Sequence, residues 1–123
     1  MSGIKYLFDT NALINFLQGN INLKKYSHVP VFISIITFVE FLSFPKISSE
    51  DKTLFNELIS TLQVVDLKNN DAVLIEKIID IRSNSKIKLP DAIIAASAIS
   101  IGAVLITNDK DFSKVDSLLI ESY

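Results

Sequence analysis

Ile4-Lys5-Tyr6-Leu7-Phe8-Asp9-Thr10-Asn11 is the stretch that decides how this chain is read. An apolar, aromatic-rich run stops abruptly at three short polar residues. A second apolar pattern begins at once with Ala12, Leu13, Ile14, Phe16 and Leu17. That order predicts a buried strand and then a helix starting within a residue or two. The strand delivers Asp9 to its carboxyl end, which is where ligands bind in open α/β sheets. The same residues also have a plain structural use, because Asp, Thr and Asn are all favoured helix caps. Which use Asp9 has depends on whether other acids reach the same place.

The first helix runs from about Asn11 to Leu17 and ends at Gln18-Gly19-Asn20, with Gly19 near the C-cap. Ile21 to Pro30 reads as a basic connection or short helix carrying Lys24, Lys25 and His28. Val31-Phe32-Ile33-Ser34 is β-branched and aromatic, a second strand, and Ser34 is placed to cap the second helix. That helix holds Ile36, Thr37, Val39, Glu40, Leu42 and Ser43 and stops at Pro45. Ser48-Ser49-Glu50-Asp51 opens a third, whose Phe55, Leu58, Ile59 and Leu62 recur at helical spacing. Gln63 to Leu67 is a short strand toward a sheet edge. Asn70 caps a helix carrying Val73, Leu74, Ile78, Ile79 and Ile81, and Ser83 to Lys88 reads as a polar, basic loop.

Pro90 at the first helical position and Asp91 beside it then start a small-residue, apolar helix that Gly102 ends. Ala103 to Ile106 is a strand of parallel type, Thr107 to Phe112 a polar turn, and Val115 to Ile120 a last short strand. The order β-α-β-α-α-β-α-α-β-β predicts right-handed crossovers. The fold expected over residues 1–123 is a single three-layer α/β/α domain around a central, mostly parallel sheet of four to five strands.

Composition narrows the function. The length of 123 residues suits one domain, and 49% of them are hydrophobic, so Val31 to Ile36 and Ala92 to Ile101 should be buried on both faces. No apolar run reaches membrane-span length without charge or Pro, and no basic-then-apolar leader opens the chain. The absence of Cys excludes disulfides and thiolate metal sites and fits a cytoplasmic protein. A single His (His28) leaves no His-based metal cluster. Twelve basic against 14 acidic residues, a net of -2, argues against holding nucleic acid by bulk positive charge. It leaves open an enzyme whose clustered carboxylates lower the net charge.

Four acids stand out by context. Asp9 and Asp109 end strands, while Glu40 and Asp91 lie in the most apolar helices. Each has a local alternative: a cap, a turn, a helix-dipole partner, or a salt bridge for Glu40. Glu40 is the hardest to treat so, since a charge among Phe and Leu is costly unless paired or bound to metal. Gathered in one pocket, four carboxylates repel one another until a cation neutralises them, and oxygen-only ligands select Mg²⁺ or Mn²⁺ over zinc. One or two such ions, a pair being about 3.5–4 Å apart, suit phosphodiester hydrolysis.

Four segments carry a family resemblance. Phe8-Asp9-Thr10-Asn11 resembles the opening Asp-Thr/Ser-Asn of PIN domains, and Ser34-Ile35-Ile36-Thr37-Phe38-Val39-Glu40 their second motif. Pro90-Asp91-Ala92-Ile93-Ile94-Ala95-Ala96 is similar to the third, and Thr107-Asn108-Asp109-Lys110-Asp111-Phe112 to the fourth. The length is most similar to VapC-type toxins. The resemblance implies a metal-dependent endoribonuclease with Asp9, Glu40, Asp91 and Asp109 as metal ligands. Asn11, Thr107 and Thr37 would orient those ligands, and Asp111 would be a fifth acid outside the core four. It further implies an RNA substrate, a cognate antitoxin, a homodimer, and 5′-phosphate and 3′-hydroxyl products.

RNA contact outside the pocket falls to Lys86 and Lys88 before Asp91, Lys110 after Asp109, and Lys46 after the Glu40 helix. His28 with Lys24 and Lys25 reads as a surface loop. A receiver-type phosphoacceptor domain fits poorly, because Glu40 and Asp91 sit on helices. A haloacid dehalogenase-type phosphatase needs Asp where Asn11 stands. A PIN-like module that only binds RNA or protein is the remaining alternative, and the four intact acids disfavour it.

Overall fold

In the computed structural model, β1 (Lys5–Phe8) is the middle strand of a five-stranded sheet. The structure describes residues 3–26 and 28–123, without the side chains of Leu23 and Lys24, so the expected surface role of Lys24 lies outside the described residues. The other strands are β2 (Val31–Ser34), β3 (Gln63–Val65), β4 (Ala103–Ile106) and β5 (Ile120–Glu121), in the order β3-β2-β1-β4-β5. Every pairing is parallel, so the sheet is more uniform than the mostly parallel one expected.

Alternation along the strands fills both faces. Leu7 and Leu105 are fully buried against α4 (Ala72–Ser85) and α5 (Leu89–Ile101). Phe8, Ile33 and Ile106 point the other way, against α1 (Thr10–Leu17), α2 (Ile35–Leu42) and α3 (Ser49–Leu58). Fully burying one such side chain is worth about 1.5–3 kcal/mol, and these strands bury them on both faces. The alanine-rich middle of α5, Ala92 to Ala98, is buried throughout, because small side chains let that helix sit close to the sheet.

Several boundaries move. Asp71 caps α4 through the Leu74 amide at 3.1 Å, in place of Asn70. α4 also absorbs Ser83 to Ser85, expected in a loop, and ends at Lys86 in the left-handed region (φ 35°). β3 stops at Val65, and α3 at Leu58 although Leu62 is still buried. Pro90 is the second residue of α5, after Leu89. The polar turn contains a 3-10 helix, Lys110–Lys114, and the last strand shrinks to Ile120–Glu121, because Val115 reaches the core from irregular chain. The basic connection contains a 3-10 helix, Leu23–Tyr26, and His28 is exposed there.

From β1 the chain steps outward through β2 and β3, then returns to β4 and β5 on the far side. β1 and β4 therefore flank the point where strand order reverses, with Phe8 in register with Ile106. That is the crevice in which parallel α/β sheets bind ligands.

Candidate metal centre

Asp9 is the first residue past β1 and the N-cap of α1, so it is both the strand-end acid and the cap. Its Oδ1 accepts from the Ala12 amide at 2.7 Å, and its Oδ2 accepts from the Thr107 hydroxyl. Thr107, first after β4, accepts in turn from the Asp109 amide at 3.0 Å. The ends of β1 and β4 are thus joined by side chains as well as by backbone. Only 4% of Asp9 is exposed. Burial pushes its carboxyl above the ordinary 3.8, the bonds from Thr107 and Ala12 pull the other way, and the charges of Asp109 and Glu40 add to the rise.

Glu40 comes from α2, whose start Ser34 fixes by accepting from the Ile36 amide at 3.2 Å. The sequence places Glu40 among apolar neighbours, yet Val39 and Leu42 face solvent and Glu40 itself is half-buried. Its Oε1 accepts from Thr10 Oγ1 at 2.7 Å, and the same hydroxyl lies 3.3 Å from Thr37 Oγ1. A polar partner on α1 is therefore what Glu40 meets.

Asp91 stands in the first turn of α5 and is half-buried. Burial raises its carboxyl above 3.8, the charges of Asp109, Glu40 and Asp9 raise it further, and Lys88 offsets part of this. Asp109 is exposed and caps the 3-10 helix by accepting from the Asp111 amide at 2.9 Å. The charges of Glu40 and Asp109 therefore act on both Asp9 and Asp91. Among the described residues none of them forms an ion pair, and no three Asp or Glu side chains are drawn into one closed coordination shell. The donors these four side chains offer are hard carboxylate oxygens. That donor chemistry fits Mg²⁺ or Mn²⁺, and a divalent ion would relieve the repulsion.

The remaining candidates sort by position. Thr107 meets Asp9, and the buried Thr37 meets Thr10. Asn11 is exposed and makes no hydrogen bond to the four acids; its carbonyl accepts from Asn15 at 2.8 Å. Asp111 pairs with Lys114 at 3.5 Å on the surface. Lys46, Lys86, Lys88 and Lys110 are all exposed, and Lys88 acts on a carboxylate of the group. Sequence reading missed Thr10, whose place beside Asp9 was the available signal. It also missed Asn15, Asn108 and Tyr123, for which no local pattern exists. A separate apolar groove of about 580 Å³, lined in part by Phe16, Tyr26, Leu58 and Leu62, contains none of the four acids.

Residues 6–118 match the family model of the PIN domain. No curated protein sequence matches the chain. Among solved structures it is similar to VapBC2 from Rickettsia felis bound to a promoter DNA fragment. There the identity is 21% and the TM-score 0.81, over 98% of this chain and 99% of that one. It is similar to a toxin–antitoxin complex from Klebsiella pneumoniae at 30% identity and a TM-score of 0.74, over 93% and 95% of the two chains. A third likeness is to VapBC-1 from nontypeable Haemophilus influenzae, at 23% identity and a TM-score of 0.79, over 97% and 98%.

Proposed function

This chain belongs to the PIN domain family, and on that premise we propose that it is a metal-dependent endoribonuclease, the toxin of a toxin–antitoxin pair. What supports the reading is that the charges of Glu40 and Asp109 bear on both Asp9 and Asp91, and that Asp9 stands where the strand order reverses. Those four would hold Mg²⁺ or Mn²⁺, as one ion or two. When bound, the metal supplies Lewis-acid activation of water and neutralises charge on the phosphodiester.

The chain's own residues prepare the site. Thr107 and the Ala12 amide fix the two oxygens of Asp9 and favour its ionised form. Thr10 aims Glu40, with Thr37 behind it, and the exposed Asn11 would orient water. Lys46, Lys86, Lys88 and Lys110 neutralise phosphates on either side of the cut. The toxin–antitoxin complexes among its structural relatives support a protein antitoxin as partner. The same reading has the chain act as a homodimer in the cytoplasm. Among the described residues no helix is long and apolar enough to cross a membrane.

End mapping of cleaved RNA tests the chemistry. Attack by water that breaks the P–O3′ bond leaves 5′-phosphate and 3′-hydroxyl ends, the 3′-oxygen taking up a proton as it leaves. Ends bearing 2′,3′-cyclic phosphate, the mark of attack by the ribose hydroxyl, would overturn the reading.

A further inference from the structure

Tyr123 follows β5 and is held against the carboxylate site by three hydrogen bonds. Its amide donates to Asn108 Oδ1 at 2.9 Å, and Asn108 Nδ2 donates to its carbonyl at 3.0 Å. Both polar atoms of the Asn108 side chain are thereby committed to Tyr123, and Asn108 lies between Thr107 and Asp109. The third bond comes from Asn15 Nδ2, which donates to the phenol oxygen at 3.2 Å. Asn15 stands one turn beyond Asn11 on α1, and its amide also reaches the Asn11 carbonyl. The ring is therefore spanned between the helix that starts at Asp9 and the loop that carries Asp109.

Two features go beyond a structural tie. The residue is not enclosed: Tyr123 is 37% exposed, a large aromatic residue beside the loop that carries Asp109. Its phenol is also within reach of the catalytic field. Burial raises it above its ordinary 10.0, the charge of Asp9 raises it further, and the bond from Asn15 lowers it. The hydroxyl therefore stays protonated at neutral pH.

An anionic RNA approaching four carboxylates needs contacts that do not depend on charge. Exposed aromatic faces supply them by stacking on bases, with little sequence preference. We infer that Tyr123 is an RNA-contacting residue whose ring stacks on a nucleobase beside the scissile phosphate, fixed in place by Asn108 and Asn15. The inference rests on the ribonuclease reading above.

The chain has no Trp, so Tyr123→Trp introduces a unique fluorescent reporter. Its emission is quenched on adding a single-stranded RNA oligonucleotide in EDTA, where binding is read without cleavage. With Mg²⁺, Tyr123→Ala raises KM by roughly tenfold and changes kcat far less. Tyr123→Phe, which keeps the ring but loses the Asn15 bond, recovers most of the affinity. Absent quenching together with an unchanged KM in Tyr123→Ala overturns the inference. So does a KM that follows the melting temperature equally in the Ala and Phe variants, since that marks a structural tie only. If RNA quenches the reporter but no variant and no wild-type protein cuts RNA, the ribonuclease reading fails and the stacking contact stands. If neither occurs, both fall.

Discussion

Thr107 donates its hydroxyl hydrogen to Asp9 Oδ2 across 98 positions of sequence, and its oxygen accepts from the Asp109 amide. One side chain thus couples the most buried acid of the site to the loop that presents the most exposed one. Thr107 is itself 2% exposed, so solvent does not replace a lost bond.

Thr107→Val keeps the shape and removes the hydroxyl, leaving a buried carboxylate oxygen without its donor. Stability should fall by about 1–3 kcal/mol, the usual cost of an unsatisfied buried group. Thr107→Ser should recover most of the loss. Urea unfolding of the three proteins checks this, and equal midpoints would contradict the role assigned to Thr107.

The raised carboxyl of Asp91 predicts a pH dependence. A carboxyl whose folded pKa lies above its unfolded value of 3.8 binds its proton more tightly in the folded chain. Its cost to stability is absent below 3.8 and grows as pH rises through the folded value. Metal-free protein with Asp91→Asn should therefore melt higher than wild type at pH 7, and the difference should vanish near pH 3.5–4. A variant that melts lower at pH 7 would show that Asp91 is instead stabilised by its surroundings.

Lys86 occupies the left-handed region with φ 35° and ψ 45° at the end of α4. That conformation costs a side chain about 1–2 kcal/mol, and about 0.5–1 kcal/mol of any relief is offset by glycine's greater flexibility when unfolded. Lys86→Gly should stabilise the protein by roughly 0.5–1 kcal/mol in thermal or urea unfolding. A loss of stability would mean that the side chain makes a contact worth more than the strain.

The lysine rim predicts a salt effect. Lys86→Ala combined with Lys88→Ala should weaken RNA binding and lower the slope of log K against log salt by about two. Binding of Mg²⁺ should persist. An unchanged slope would remove these two residues from the RNA path.

Much of the fold was legible because its signals are local. Phe8-Asp9-Thr10 marks a strand end and helix start within three residues, Gly102 ends α5 with φ 68°, and the apolar runs of β1 and β4 announce a buried sheet. Asp9, Asp91 and Asp109 stand out because each lies at an abrupt change of pattern, and Glu40 because it interrupts an apolar helix. What escaped depends on pairing at a distance. Thr10 meets Glu40 across 30 positions, and Asn108 meets Tyr123 across 15, with no periodicity to reveal either. β5 was misplaced because Val115 is apolar for burial in the core, not for strand pairing. Glu40 looked buried because its neighbours are apolar, yet Val39 and Leu42 face outward.

Whether Asp9, Glu40, Asp91 and Asp109 form a metal-dependent site for cutting RNA is decided by cleavage of labelled RNA. Purified wild type, Asp9→Asn and Asp91→Asn, each shown to be folded, are compared with Mg²⁺ or Mn²⁺ and with excess EDTA. Asp9→Asn preserves the cap, because the Asn carbonyl can still accept from the Ala12 amide. Wild type should cleave only when metal is present, and neither folded variant should cleave at all. Undiminished cleavage in excess EDTA, or a fully active Asp9→Asn, would contradict the metal-dependent mechanism.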